Sequence, residues 1–245
     1  MQPVAAALLI FAAVAPLARS QTGEEVETNA LGWFAYSGDH PVQGRWGVHA
    51  EIQFRRDGVL ARPQHLLVRP ALNIEITKSL SAAVGYTYTR TYPYGSNPDP
   101  FAYPEHRSYQ DLTFQHDLAE WKMSHRLRVE QRFVSDAGTV PDEVSTRWRY
   151  GNRFRYALQL QRSLSGQWYL SASLEPQIRF GIHYRGRAFD QLQSYVGIGR
   201  ELTEHWKVEL GYSHQVGVPR RGRIYENNHI VRLAIQSTAP LKASP

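Results

Sequence analysis

Arg147-Trp148-Arg149-Tyr150-Gly151-Asn152-Arg153-Phe154-Arg155-Tyr156-Ala157-Leu158-Gln159-Leu160-Gln161 changes character at most steps. In an extended chain, successive side chains point to opposite faces. Trp148, Tyr150, Phe154, Tyr156, Leu158 and Leu160 therefore share one face, and Arg147, Arg149, Arg153, Arg155, Gln159 and Gln161 share the other. A helical period would mix the two sets, so this stretch reads as a long strand with an apolar and a cationic face.

The same period runs outward in both directions. Upstream it recurs in residues 45–55, 66–76, 81–92, 107–117 (the weakest) and 123–133; downstream it recurs in 168–180, 189–200, 206–215 and 228–236. Short connections at 78–81, 117–121, 163–168 and 201–206 alternate with longer ones at 93–105, 135–146, 182–188 and 216–226. Short turns on one rim and long loops on the other are the habit of an outer-membrane barrel. The expected fold is thus all-β: an antiparallel, up-and-down transmembrane β-barrel of about 10–12 strands. Residues 29–37 also alternate, which would make an odd eleventh strand. Bacterial single-chain barrels have even counts, so this segment is expected in the lumen or against the rim, unless two strands are merged elsewhere.

Composition agrees with that class and excludes others. The 245 residues have a mean hydropathy of −0.46, too polar for a bundle of membrane helices of about 20 apolar residues each. Residues 1–20 read as a secretory signal peptide, with an apolar run over 4–17 and small residues at Ala18 and Ser20. Residues 21–44 form an N-terminal segment with a first strand, 45–236 the barrel, and 237–245 a short tail. There is no Cys, hence no disulfide and no thiolate metal site. The 14 Tyr and 6 Trp concentrate near the ends of apolar faces: Trp46, Tyr88, Trp148, Tyr150, Trp168, Trp206 and Tyr212. That is the placement of a membrane girdle. A soluble exported β-sandwich or lipocalin-like binding protein is the competing architecture, but strands of roughly 10–14 residues are long for it.

In order along the chain, the strand ending Phe54-Arg55, Gly85-Tyr86 before a long loop, Glu105-His106-Arg107 with Gln110, Arg126 to Arg132, Arg147 to Tyr150 and the strand holding Glu175 resemble the exported family called domain of unknown function 2490. The resemblance covers most of the chain beyond residue 20. It implies an outer-membrane-type barrel and no established activity. The chain departs from barrel habit in ending without a terminal aromatic residue.

On a barrel the polar face points into the lumen. Arg126, Arg128, Arg132, Arg147, Arg149, Arg153 and Arg155 form the expected basic cluster, with Arg126, Arg128, Arg147 and Arg149 at its centre, and Glu51, Glu130 and Glu175 as acidic partners. Fourteen basic against six acidic residues on that face predict a narrow or side-chain-filled lumen that leans towards anions. Arg facing a lumen cannot grip a duplex, so nucleic acid is not an expected partner. The expected partners are the lipid bilayer, the barrel-assembly machinery during export, and small anions. The expected place is the outer membrane of a Gram-negative-type cell after Sec export. His106 and Ser108, two residues apart, share a strand face, and Glu105 is adjacent. This is a candidate base, nucleophile and orienting carboxylate for a lipid hydrolase resembling the lipid A deacylases. No motif or His spacing for a metal or cofactor is found.

Overall fold

The strands follow from the alternation, and a computed structural model describes residues 25–96, 98–135, 147–181, 188–218 and 224–241. The eleven strands are β1 (Glu25–Gln43), β2 (Trp46–Asp57), β3 (Arg62–Glu75), β4 (Leu80–Thr91), β5 (Tyr103–Leu118), β6 (Trp121–Ser135), β7 (Trp148–Ser163), β8 (Trp168–Phe180), β9 (Phe189–Glu201), β10 (Trp206–Gly217) and β11 (Ile224–Ser237). They close into one barrel in sequence order. It is a single closed sheet, not the two packed sheets of a sandwich. Residues 1–20, read above as a signal peptide, lie outside the described residues.

The segment at 29–37 belongs to β1, which stands in the barrel wall, neither in the lumen nor against the rim, and among the described residues no two strands are merged elsewhere. Ten neighbouring pairs are antiparallel. The closing pair is parallel, running from Glu25↔Ile224 to Gly38↔Ser237. The reason is counting: an up-and-down chain with an odd number of strands starts and ends in the same direction. The parallel seam leaves no open edge, so the backbone groups of β1 and β11 are paired like the rest.

The short-turn rim is closed by repeated chemistry. Leu164 N donates to Trp168 O, and Leu202 N donates to Trp206 O, both at 2.8 Å. These are the two connections that share the Leu, Ser/Thr, two residues, Trp pattern. Thr77 and Thr203 accept from backbone N–H groups two and three residues on, which satisfies donors that the turn would otherwise expose. At Gly44 the chain takes φ +58°, a left-handed conformation that glycine adopts without penalty.

Inside, three tyrosines lie flat over glycines of their own or neighbouring strands. Tyr109 covers Gly85, Tyr169 covers Gly199, and Tyr195 covers Gly197 and Gly211. All three tyrosines are buried. An ideal Cβ at Gly85 would sit 2.3 Å from Tyr109 Cζ, well inside van der Waals contact. Gly85→Val is therefore expected to destabilise the barrel by about 1–3 kcal/mol through overpacking. Urea unfolding measures this, and the double variant with Tyr109→Ala should recover part of the loss because the two residues share one space.

Candidate functional site

The lumen is where this fold collects its ionisable groups. Direct cross-strand pairing puts Glu51 opposite Arg69, Asp111 opposite Arg128 and Glu130 opposite Arg153. Opposite charges at facing positions on one side of a sheet lie within hydrogen-bond reach. Arg69 Nη1 donates to Glu51 at 2.5 Å. Arg128 grips Asp111 with both arms of its fork, at 2.6 Å each. Arg153 Nε donates to Glu130 Oε2 at 2.7 Å.

The last of these pairs belongs to a continuous chain. Arg126 donates to Glu175 at 2.6 Å, and Glu175 also accepts from Arg155 Nε at 2.9 Å. Arg155 reaches on to Glu130 at 2.8 Å, and Glu130 binds Arg153. Arg153 continues to Asp190 at 3.1 Å, which also holds Arg179 at 2.6 Å and Arg132 at 3.5 Å. Arg132 and Arg107 both bind Glu105. Glu130 is 0% exposed and Arg128 3%. Charges this deep persist only when their hydrogen-bonding capacity is nearly filled, and sharing Glu105, Glu130, Glu175 and Asp190 between two or three guanidinium groups each serves that end. Tyr109 adds a face for Arg128, whose Cζ lies 4.0 Å from the ring centroid.

A cavity of about 1240 Å³ runs beside this lattice. Its lining extends from the turn residues Thr77 to Ser79 to Tyr94 and Asp99 at the loop rim. Small polar side chains such as Ser81, Thr113, Ser124 and Ser173 line it as well. Among the described residues, no cluster of three or more His, Asp or Glu could hold a metal ion.

The structure places Arg126, Arg128, Arg132, Arg153 and Arg155 together on the lumen wall, with Glu51, Glu130 and Glu175 among them. Arg147 and Arg149 do not join this cluster, so its expected centre shifts. Both are exposed at the loop-rim end of the β7 region, with Arg149 opposite Val134. Their parity is right but their depth is wrong. Two carboxylates of the lattice, Glu105 and Asp190, stand outside the six acidic residues that alternation assigns to the lumen face. Glu105 is the carboxylate that the sequence offers to a catalytic site. Asp190 sits at a bulge: Gln177 pairs with Gln191 and Ile178 with Phe189, which leaves Asp190 as the extra residue. A bulge lets consecutive residues face one way, and simple alternation cannot find it.

His106, Ser108 and Glu105 do not form a triad. His106 and Ser108 share the outer face, as their spacing requires. Ser108 Oγ donates to Gln131 at 2.9 Å, while His106 Nδ1 meets the Tyr86 hydroxyl. Glu105 points to the opposite side, where it is buried against Arg107 and Arg132. Adjacent strand residues cannot face the same way without a bulge, so Glu105 cannot orient His106.

The outer face carries exposed apolar side chains on every side, among them Phe54, Leu72, Val84, Leu127, Ile198, Leu210 and Leu233. Trp46, Trp148, Tyr150, Trp168, Trp206 and Tyr212 are exposed with them, and Tyr88 is half-buried against His106. Trp46, Trp121, Trp168 and Trp206 each open the strand that follows a short turn, forming one belt. Trp148, Tyr150 and Phe133 lie towards the other rim. Tyr212 sits mid-strand, away from either belt. Several polar atoms on this face pair with one another. The hydroxyls of Tyr36, Tyr86, Tyr156 and Tyr212 each meet a ring nitrogen, of His40, His106, His125 and His229 respectively.

A family model described as "Protein of unknown function (DUF2490)" matches residues 31–224. A protein of Methylorubrum extorquens, described only as uncharacterized, is 25% identical over 189 residues, covering 75% of this chain and 77% of its own length. No solved structure matches.

Proposed function

The chain belongs to the DUF2490 family of unknown function, and we propose that it is an outer-membrane barrel whose narrow, Arg-rich lumen passes small anions. The observation that carries this is the inverted polarity of the wall. Arg128, Glu130, Arg153 and Glu175 are buried inside, while Leu72, Val84, Leu210 and Trp168 are left exposed outside. A soluble monomer rarely exposes a contiguous apolar patch beyond a few hundred Å². A bilayer turns that surface from a liability into the main source of stability. The closed sheet satisfies every wall strand's backbone in hydrocarbon, and the Tyr–His pairs do the same for polar atoms of the outer face.

The two tryptophan-bearing rims supply headgroup anchors at both interfaces. With export through the Sec route and insertion by the barrel-assembly machinery, the short turns face the periplasm. Inside, the cavity beside the ion-pair lattice is the route. Most of the Arg charge there is matched by carboxylates, so the anion preference comes from the few guanidinium groups that are not. The outer-face His106 and Ser108 play no catalytic part in this reading.

Purified protein in detergent should migrate differently on gels before and after heating. In a planar bilayer under a salt gradient it should show small conductance steps with an anion-sided reversal potential. Full solubility without detergent after export would overturn the membrane reading. A silent bilayer with a heat-modifiable protein would overturn the passage and leave a filled barrel.

A further inference from the structure

Most guanidinium groups of the lumen wall are tied to carboxylates, but among the described residues Arg55 and Arg232 are not. Among the described residues, Arg55 donates only to Gln53 Oε1, at 2.9 Å from Nε and 2.7 Å from Nη2. Its Cζ lies 3.8 Å from the centroid of the Trp33 ring. Among the described residues Arg232 has no carboxylate partner either, and it stacks on Tyr195, 5.0 Å from the ring centroid. Both line the cavity.

They are also neighbours in the wall. Trp33 pairs with Arg55 across β1/β2 and with Arg232 across the parallel seam, so the three residues sit side by side on β2, β1 and β11. Neighbouring strands lie about 4.8 Å apart. Trp33 is 3% exposed, and its indole Nε1 has no hydrogen-bond partner among the described residues. Arg55 also stands within Coulomb range of Arg69, Arg107 and Arg155, with Glu51 as the acidic group in that set. An unmatched guanidinium in a cationic neighbourhood, held flat on an aromatic face with part of its fork unused, is a receptor for an oxyanion.

We infer that the seam wall at Arg55, Trp33 and Arg232 is an oxyanion-binding site for small solutes bearing a phosphate or carboxylate group. The edge of the Arg55 fork that Gln53 leaves free donates to two oxygens of one group. Trp33 fixes the plane of that fork, and Arg232 adds a second positive charge at the same level. Gln53 orients Arg55 without neutralising it, where a carboxylate at that position would cancel the site. The inference rests on solutes reaching the lumen, as proposed above, but not on their crossing it.

The test is equilibrium binding to the whole barrel in detergent, by calorimetry, with inorganic phosphate and acetate as probes. Saturable binding is expected, weakened tenfold or more by Arg55→Gln. Arg55→Lys, which keeps the charge and loses the fork, should retain weakened binding, and Arg200→Gln at the rim should change nothing. Heat-modifiable migration shows which variants fold; should Arg55→Gln fail, Arg232→Gln must weaken binding threefold or more. No binding by the unaltered barrel, or equal binding by these folded variants, overturns the site. Binding of a soluble short-chain phospholipid but not of phosphate also overturns it, since the ligand is then a headgroup. Anion-selective conductance without phosphate binding sinks the site alone. Arg55-dependent binding in a barrel that conducts nothing sinks the passage alone.

Discussion

Glu130→Ala is expected to be the most damaging single substitution in the lumen. Glu130 is 0% exposed and accepts from both Arg153 and Arg155. Removing it leaves two buried guanidinium groups sharing fewer carboxylates, with Arg155 falling back on Glu175 and Arg153 on Asp190. Breaking a buried ion pair by deleting one partner costs about 3–5 kcal/mol, most of it the uncompensated charge left behind. The control is Glu120→Ala at the short-turn rim, where Glu120 is exposed and meets Arg162. An exposed pair is worth about 0–1 kcal/mol. Urea unfolding from lipid vesicles compares the two. Losses of equal size would mean that water fills the lumen around Glu130 and screens its partners.

Leu210→Arg tests the other side of the wall. Leu210 is 53% exposed on β10, between Trp206 at the short-turn rim and Tyr212. Its strand neighbours are Leu233 and Ile198, also exposed. On a water-facing surface this substitution would fall within about 0.5 kcal/mol of neutral. In a bilayer, an Arg near the midplane costs about 2–4 kcal/mol, falling to about 0–1 kcal/mol near the interface. Leu118→Arg, at the end of β5, supplies the interfacial comparison. A depth-dependent loss from Leu118 to Leu210 is expected in vesicle unfolding. Two near-zero values would place this face in water.

Parity along each strand was legible, and it carried most of the wall. It separated Arg126, Arg128 and Arg132 from Leu127, Val129 and Phe133, and Arg153 and Arg155 from Phe154 and Tyr156. Parity has no depth coordinate, however. Arg149 and Arg153 are equivalent by alternation, yet one ends at an exposed rim and the other in the buried lattice. Alternation also held the objection to the triad, because Glu105 and His106 are adjacent and must diverge. Asp190 was hidden by a bulge, a local break in the rule used to read it. The tyrosine–glycine contacts were hidden too: Gly85 meets Tyr109 across β4 and β5, and nothing local to either residue announces the other.

The charge tally changed for a related reason. Counted along faces, the lumen looked heavily cationic. Glu105 and Asp190 bind five of the arginine contacts described above, and they belonged to no expected acidic set. What remained unmatched were Arg55 and Arg232, neither of which stood out among the many arginines of the sequence.

By itself the sequence determined that the chain makes long two-faced strands, one face apolar and one charged. The pleat that sets this is local, repeating every two residues whatever lies beside it. Only the tertiary structure decided how those strands close. The parallel seam of β1 and β11, the bulge at Asp190 and the meeting of Arg55, Trp33 and Arg232 all depend on register between segments far apart in the chain. That register is set by the whole barrel closing on itself, and no single strand encodes it.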